Sequence, residues 1–271
     1  VQHGGSIPKA VIGGGDAFHG GKHLRGLPRG GLQVVKVVAV KGDGVNYFDY
    51  RLPRILEFLN AEKPDVVGFQ EVNDHMKEAL NEHLTDYVIV GCGREASYRG
   101  ESACLAYRKD RFQLITLENF WLSATPSIPG SRYGIDQSSC PRVTTAALLK
   151  LREASAPFWF VNTHLDHEGG TARLLGSMQI MQFVSTKKEP CIITGDFNAG
   201  PDSRAIKLFT ENSKFPMVDC TVNIDATFHD YKETPRAKID YIFTNMPCDV
   251  NESVLYPDEP VEGVYLSDHR P

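Results

Sequence analysis

Pro190-Cys191-Ile192-Ile193-Thr194-Gly195-Asp196-Phe197-Asn198-Ala199 joins a short apolar run to a carboxylate and a carboxamide two residues apart. The apolar half reads as a buried strand. If its extended geometry persists through Asn198, side chains alternate faces, so Asp196 and Asn198 point the same way while Phe197 faces the core. Gly195 suits a strand end where backbone must come close to something. The same residues also suit an ordinary turn in which the acid caps its own backbone, so the pair alone does not settle a role.

Working outward, other apolar runs end in proton-transfer or metal-type residues. Residues 157–163 are strand-like and lead into His164, with Asn162 on the same face by alternation. Asp65-Val66-Val67-Gly68-Phe69-Gln70 is a second buried strand that stops at Glu71. Asp240 lies in a strand expected over 237–243, and Asp268-His269 follow Ser267 close to the last residue. Taken singly, each has a plain structural use as a cap, a core histidine or one half of an ion pair. Five such ends in one chain point to a shared site.

Further strands are expected at 34–40, 87–91, 102–107, 112–117, 143–151 and 264–266, and helices at 50–59, 75–84 and 172–184. Leu174, Met178 and Met181 give the last helix its stripe, which is core packing by spacing. Many strands with few helices, some in hairpin-like succession, argue for stacked sheets with helices around them and against a purely parallel winding. A Pro/Gly/Ser-rich loop over 122–142 is long enough to be functional or mobile. Residues 1–31 are glycine-rich without an apolar period and read as a flexible leader, its His3, His19 and His23 without assigned function. The domain runs from 32 to 271.

With 41% hydrophobic and 23% charged residues among 271, the chain is an ordinary globular protein able to bury a large core. A net charge of −5 supplies no overall basic field, which disfavours a long nucleic-acid footprint without excluding a local one. No apolar run is long enough to span a bilayer. Cys92, Cys104, Cys140, Cys191, Cys220 and Cys248 form no Cys-x-x-Cys pair and are expected as free thiols. An intracellular setting is slightly favoured, secretion after loss of a signal stays open, and a monomer is expected.

The polar ends also carry a resemblance. Phe69-Gln70-Glu71-Val72, Asn162-Thr163-His164-Leu165-Asp166-His167, Thr194-Gly195-Asp196-Phe197-Asn198, Ile239-Asp240-Tyr241-Ile242-Phe243 and Ser267-Asp268-His269-Arg270-Pro271 occur in the order typical of the endonuclease/exonuclease/phosphatase superfamily, which they resemble as a set. Phe120-Trp121-Leu122-Ser123-Ala124-Thr125-Pro126 is further similar to a segment of a mainly bacterial branch. The resemblance implies an α/β four-layer sandwich, two mixed β-sheets packed face to face with helices on the outer faces. It also implies hydrolysis of a phosphoester, a phosphodiester or phosphomonoester, by in-line attack of water with Mg2+ or Mn2+.

Under the resemblance, Glu71 and Asp268 are metal ligands, which suits a hard cation that takes a few carboxylates and keeps its waters. His269 pairs with Asp240, Asp196 handles the attacking water, and His164 and Asn198 donate to phosphoryl oxygens. Glu101 resembles a carboxylate that partners His164, with a solvated turn acid as the alternative. Arg142 could hold a phosphate or a surface ion pair, and Trp121, Arg132 and Tyr133 on or beside the long loop are specificity candidates. The substrate is either a phosphorylated small molecule or a nucleic acid. One departure stands out: family members end the first strand with an Asn that helps bind metal, and this chain has Ala39 there. A catalytically silent phosphate-binding protein is therefore the competing expectation.

Overall fold

Alternation along β2 (Val66–Gln70) shows how the layers form. Val66 faces one core and Val67 and Phe69 face another, so a single strand serves two apolar clusters. The computed structural model describes residues 33–36 and 44–271; the leader 1–31 and Ala39 lie outside them. In chain order the elements are β1 (Gln33–Lys36), α1 (Phe48–Glu62), β2, α2 (Asp74–His83), β3 (Tyr87–Val90), β4 (Leu105–Arg108), β5 (Phe112–Trp121), β6 (Val143–Leu151), β7 (Phe158–His164), α3 (Gly170–Ser185), β8 (Cys191–Asp196), α4 (Arg204–Thr210), β9 (Val218–Asp219) and β10 (Asp240–Thr244).

One sheet has the order β1-β2-β4-β3 and the other β5-β6-β7-β8-β10-β9. Both are mixed: β1 pairs parallel to β2 and β7 parallel to β8, and the remaining pairings are antiparallel. Val66, Leu105 and Tyr107 from the first sheet meet Phe112, Ala147, Leu149, Phe158, Phe160 and Ile192 from the second in a central core. On the outer faces, α1 and α2 cover the first sheet through Ile55, Leu59, Met76 and Leu80, and α3 and α4 cover the second through Ile180, Val184, Ile206 and Phe209. The result is the four-layer α/β sandwich.

A polar residue staples the two sheets. Asn162 on β7 is fully buried and satisfies all its hydrogen-bonding groups: Nδ2 donates to the carbonyls of Phe69 (2.7 Å) and Cys104 (2.8 Å), and Oδ1 accepts from Gln70 Nε2 (2.8 Å) and Thr194 Oγ1 (2.9 Å). Gly68 makes room for it, because a Cβ there would stand 2.6 Å from Asn162 Oδ1 and from Thr194 Oγ1.

Some elements differ from their sequence expectation. Residues 264–266 do not form a strand; their chain makes a turn closed by an isolated bridge between Val261 and Val264. The buried carboxylate of Asp258 accepts the Leu266 and Ser267 amides at 2.9–3.1 Å, and a side chain thus replaces the ladder partner. β5 continues past the expected end at 117 to Trp121, with a register shift between Leu114 and Thr116. Among the described residues it pairs only with β6, and an edge strand half open to water lacks the strict apolar alternation that marks a buried one. α4 was not apparent in the sequence, being two turns long, with Ser203 capping its first turn by accepting the Ile206 amide at 3.3 Å. All six cysteines are free thiols.

Candidate active site

Strand register places three of the polar residues in one row. In the parallel pair β7/β8, His164 lies opposite Asp196 at the ends of both strands. β10 runs antiparallel and begins at the same rim, so its first residue, Asp240, also lies opposite Asp196. The strand expected over 237–243 therefore starts at Asp240, which stands at the rim and not in mid-strand. From the other sheet β2 ends one residue before Glu71, whose φ of +59° turns the chain away from the ladder. The rim is thus fed by both sheets.

His164 Nε2 lies 3.6 Å from Asp196 Oδ2 and 3.8 Å from Glu71 Oε1. His269 Nδ1 and Asp240 Oδ2 are 2.6 Å apart in a buried hydrogen bond, and the imidazole Nε2 stands 4.0 Å from Asp196 Oδ2 and from Asp268 Oδ2. With Nδ1–H donated to Asp240, Nε2 is the basic atom facing the other carboxylates. Among the described residues two groups have ligand atoms close enough to share an ion, Glu71–His164–Asp196 and Asp196–Asp240–His269. Asp268 stands beside the second of them. Asp196 belongs to both.

The turn after β8 answers the question left open by the sequence. The strand stops at Asp196, and Asn198 has φ +48°, so extended geometry does not persist through Asn198. Asp196 Oδ1 accepts the Asn198 amide at 2.8 Å, and Asn198 Nδ2 donates one hydrogen to the Leu165 carbonyl at 3.0 Å. The motif is both the capping turn and a member of the polar cluster. Phe197 is buried in the outer core, as alternation predicts. Gly195 has φ +152°, and a Cβ on it would stand 2.1 Å from the Thr163 carbonyl oxygen.

Beside the cluster opens a shallow, half-open cavity lined by Glu71, Arg94, Glu101, Arg142 and His164, among others. Glu101 pairs with Arg94 at 2.6 Å. Arg142 is 3% exposed; Nη2 donates to His167 Nδ1 at 2.8 Å and Nε lies 3.8 Å from Asp166 Oδ2. Burial pushes the Arg142 guanidinium below its ordinary range, and the neighbouring Arg94 adds to the effect against the pull of Asp166 and Asp196. Trp121, expected to meet substrate, is instead 2% exposed and spends its indole N–H on the Arg94 carbonyl at 2.6 Å. The polar ends of Arg132 and Tyr133 are likewise engaged within the protein, on the Ser138 carbonyl at 2.7 Å and Gln179 Oε1 at 2.6 Å. Trp121 is thus buried under the loop, Tyr133 is half-buried and Arg132 is exposed.

Asp166, which spacing did not mark as a functional residue, ties the long loop to the rim. It is 3% exposed and accepts from the Ser138 hydroxyl and from the amides of Ser138 (3.2 Å), Glu168 (3.1 Å) and Gly169 (2.7 Å). Burial alone would raise its pKa, but those donors outweigh it and hold the carboxyl below the usual range. A depressed native value means that the stabilisation is complete above the unfolded carboxylate pKa, about 3.9, and is lost as pH falls through the lower folded value. Asp166→Asn is expected to cost about 2 kcal/mol at neutral pH. Its deficit in melting temperature should narrow as pH falls below about 4; a deficit independent of pH would contradict this.

Other buried groups hold the segment that carries Asp268 and His269. Fully buried Arg51 donates to the carbonyls of Asn46 (2.5 Å) and Leu266 (2.9 Å), and Asn46 Oδ1 accepts the Tyr265 amide at 2.9 Å. Asn46 is thus a brace for this segment. The amides of His229 and Asp230 both donate to the Asp268 carbonyl, at 2.9 and 3.1 Å.

The family model described as Endonuclease/Exonuclease/phosphatase family matches residues 45–269. An endonuclease/exonuclease/phosphatase crystal structure from Bacteroides vulgatus is 31% identical with a TM-score of 0.76, covering 88% of this chain and 94% of that one. The mannosyl-6-phosphatase of Bacteroides thetaiotaomicron is 25% identical with a TM-score of 0.75, covering 88% and 95%. Mouse Nocturnin is 27% identical over 175 residues, which are 59% of this chain and 38% of the mouse protein.

Proposed function

The chain belongs to the endonuclease/exonuclease/phosphatase family, and from that membership we propose that it is a metal-dependent phosphoesterase that hydrolyses its substrate by in-line attack of water. The observation that carries the reading is the row His164, Asp196, Asp240 across three adjacent strands, with Glu71 entering from the second sheet. Support also comes from the mannosyl-6-phosphatase similarity.

The donors suit Mg2+ or Mn2+, because carboxylate oxygens dominate the two ligand-sized groups. Glu71 and Asp268 would hold the ion, which when bound supplies positive charge to the phosphoryl and leaving oxygens. Asp196 orients the attacking water and takes its proton. Asp240 fixes the His269 tautomer so that Nε2 receives and returns protons beside Asp196 and Asp268. His164 and the second Asn198 amide hydrogen donate to the phosphoryl oxygens, where preorganised donors count most. Glu101 orients Arg94 at the cavity wall.

No helix among the described residues is long and apolar enough to cross a membrane. The silent-binder alternative rested on Ala39, which lies outside the described residues, and nothing at the described rim favours it. Chelation is expected to lower turnover of a synthetic phosphoester by about a hundredfold or more, with Mg2+ or Mn2+ restoring it. Full turnover in chelator would remove the metal from the proposal.

A further inference from the structure

Two arginines share the cavity beside the polar cluster, and neither belongs to any of the five motifs. We propose that Arg94 and Arg142 form an anion-binding pair that takes the outer oxygens of a terminal phosphate, which makes phosphomonoesters the substrate class. The proposal rests on the hydrolase reading above for its reaction but not for its binding site.

The pair is built and held in place. Arg142 is fixed by His167 and Asp166, and Arg94 by Glu101 through its guanidinium and by Trp121 through its carbonyl. Each has a buried Nε–H that makes no hydrogen bond, with a carboxylate oxygen 3.8 Å away, Glu95 Oε1 for Arg94 and Asp166 Oδ2 for Arg142. Two guanidinium groups lining one cavity where water is scarce repel each other, and an anion between them relieves that repulsion. Guanidinium forks match phosphate oxygens in shape as well as charge.

Counting oxygens selects the ester. Glu71 and His164 line the same cavity as the arginines, so a phosphoryl group reaching His164 turns its other oxygens toward the pair. A monoester offers three non-ester oxygens and a charge of roughly −1.5 to −2 at neutral pH, enough for His164, Asn198 and the arginine pair. A diester offers two such oxygens and a single charge.

The test uses inorganic phosphate as the probe, titrated calorimetrically into chelator-treated protein, followed by turnover of p-nitrophenyl phosphate and bis(p-nitrophenyl) phosphate in Mg2+. Wild type is expected to bind phosphate. Arg94→Gln should weaken binding by about tenfold or more, and Glu101→Gln, which removes the competing carboxylate, should tighten it. If the Arg94–Glu101 pair were only a structural brace, both variants would weaken binding or neither would change it, and the proposal would fall. Arg94→Gln should raise KM for the monoester by roughly tenfold or more while diester turnover changes by less than about threefold. Equal losses on both esters, or hydrolysis of the diester alone, would overturn the substrate class. Phosphate binding with the predicted variant pattern but no turnover of either ester would keep the anion site and discard the hydrolase reading. Arg94→Lys, which keeps the charge and loses the fork, should recover part of the affinity and serves as the folding control.

Discussion

Asp196→Asn is expected to lower kcat by about a thousandfold with little change in melting temperature. An asparagine keeps a carbonyl oxygen that can accept the Asn198 amide, so the turn after β8 survives. It removes the charge that faces His164 at 3.6 Å and His269 at 4.0 Å and serves in both ligand-sized groups. Steady-state kinetics beside a thermal melt separates the two effects. A variant that is active at a near wild-type rate would show that the proton acceptor lies elsewhere.

The largest effect on stability is expected away from the rim. Asn162→Leu should cost about 4 kcal/mol, which in a protein of this size lowers the melting temperature by roughly 8–16 °C. The leucine is apolar and of similar volume, yet it takes one partner each from the Phe69 and Cys104 carbonyls and the Gln70 and Thr194 side chains inside the sandwich, leaving the Cys104 carbonyl with the Phe69 amide and Thr194 Oγ1 with the Val161 carbonyl. It must also fit over Gly68, where there is no spare room. A melting temperature within a few degrees of wild type would show that the polar staple contributes little.

Much of the sandwich is legible because its buried strands alternate strictly. Val66/Val67 and Ile192/Ile193 each present one side chain to the central core and the next to an outer one, a period that the chain displays directly. The rim residues are legible for the same reason: His164, Asp196 and Glu71 each close an apolar run, and strand register then aligns them. What the chain conceals depends on partners far away in sequence. The turn at 264–266 looks like a strand until Asp258 is seen to take its amides. Trp121 looks like a loop aromatic until its indole N–H is found on Arg94, 27 residues away. Asp166 and Arg94 gain their significance only when the long loop and the 93–101 segment fold against the rim. At Asn198 a single left-handed residue ends the alternation and makes the capping turn that the sequence equally allows.

The most direct measurement is hydrolysis by purified wild type and Asp196→Asn, each chelated and then supplied with Mg2+ or Mn2+, on a phosphomonoester and a phosphodiester. Wild type should turn over at least one ester only with the ion, and Asp196→Asn should be about a thousandfold slower at saturating metal. Absence of turnover on both esters by a wild-type protein shown to bind the ion, or equal rates for the two proteins, would contradict a phosphoesterase centred on Asp196.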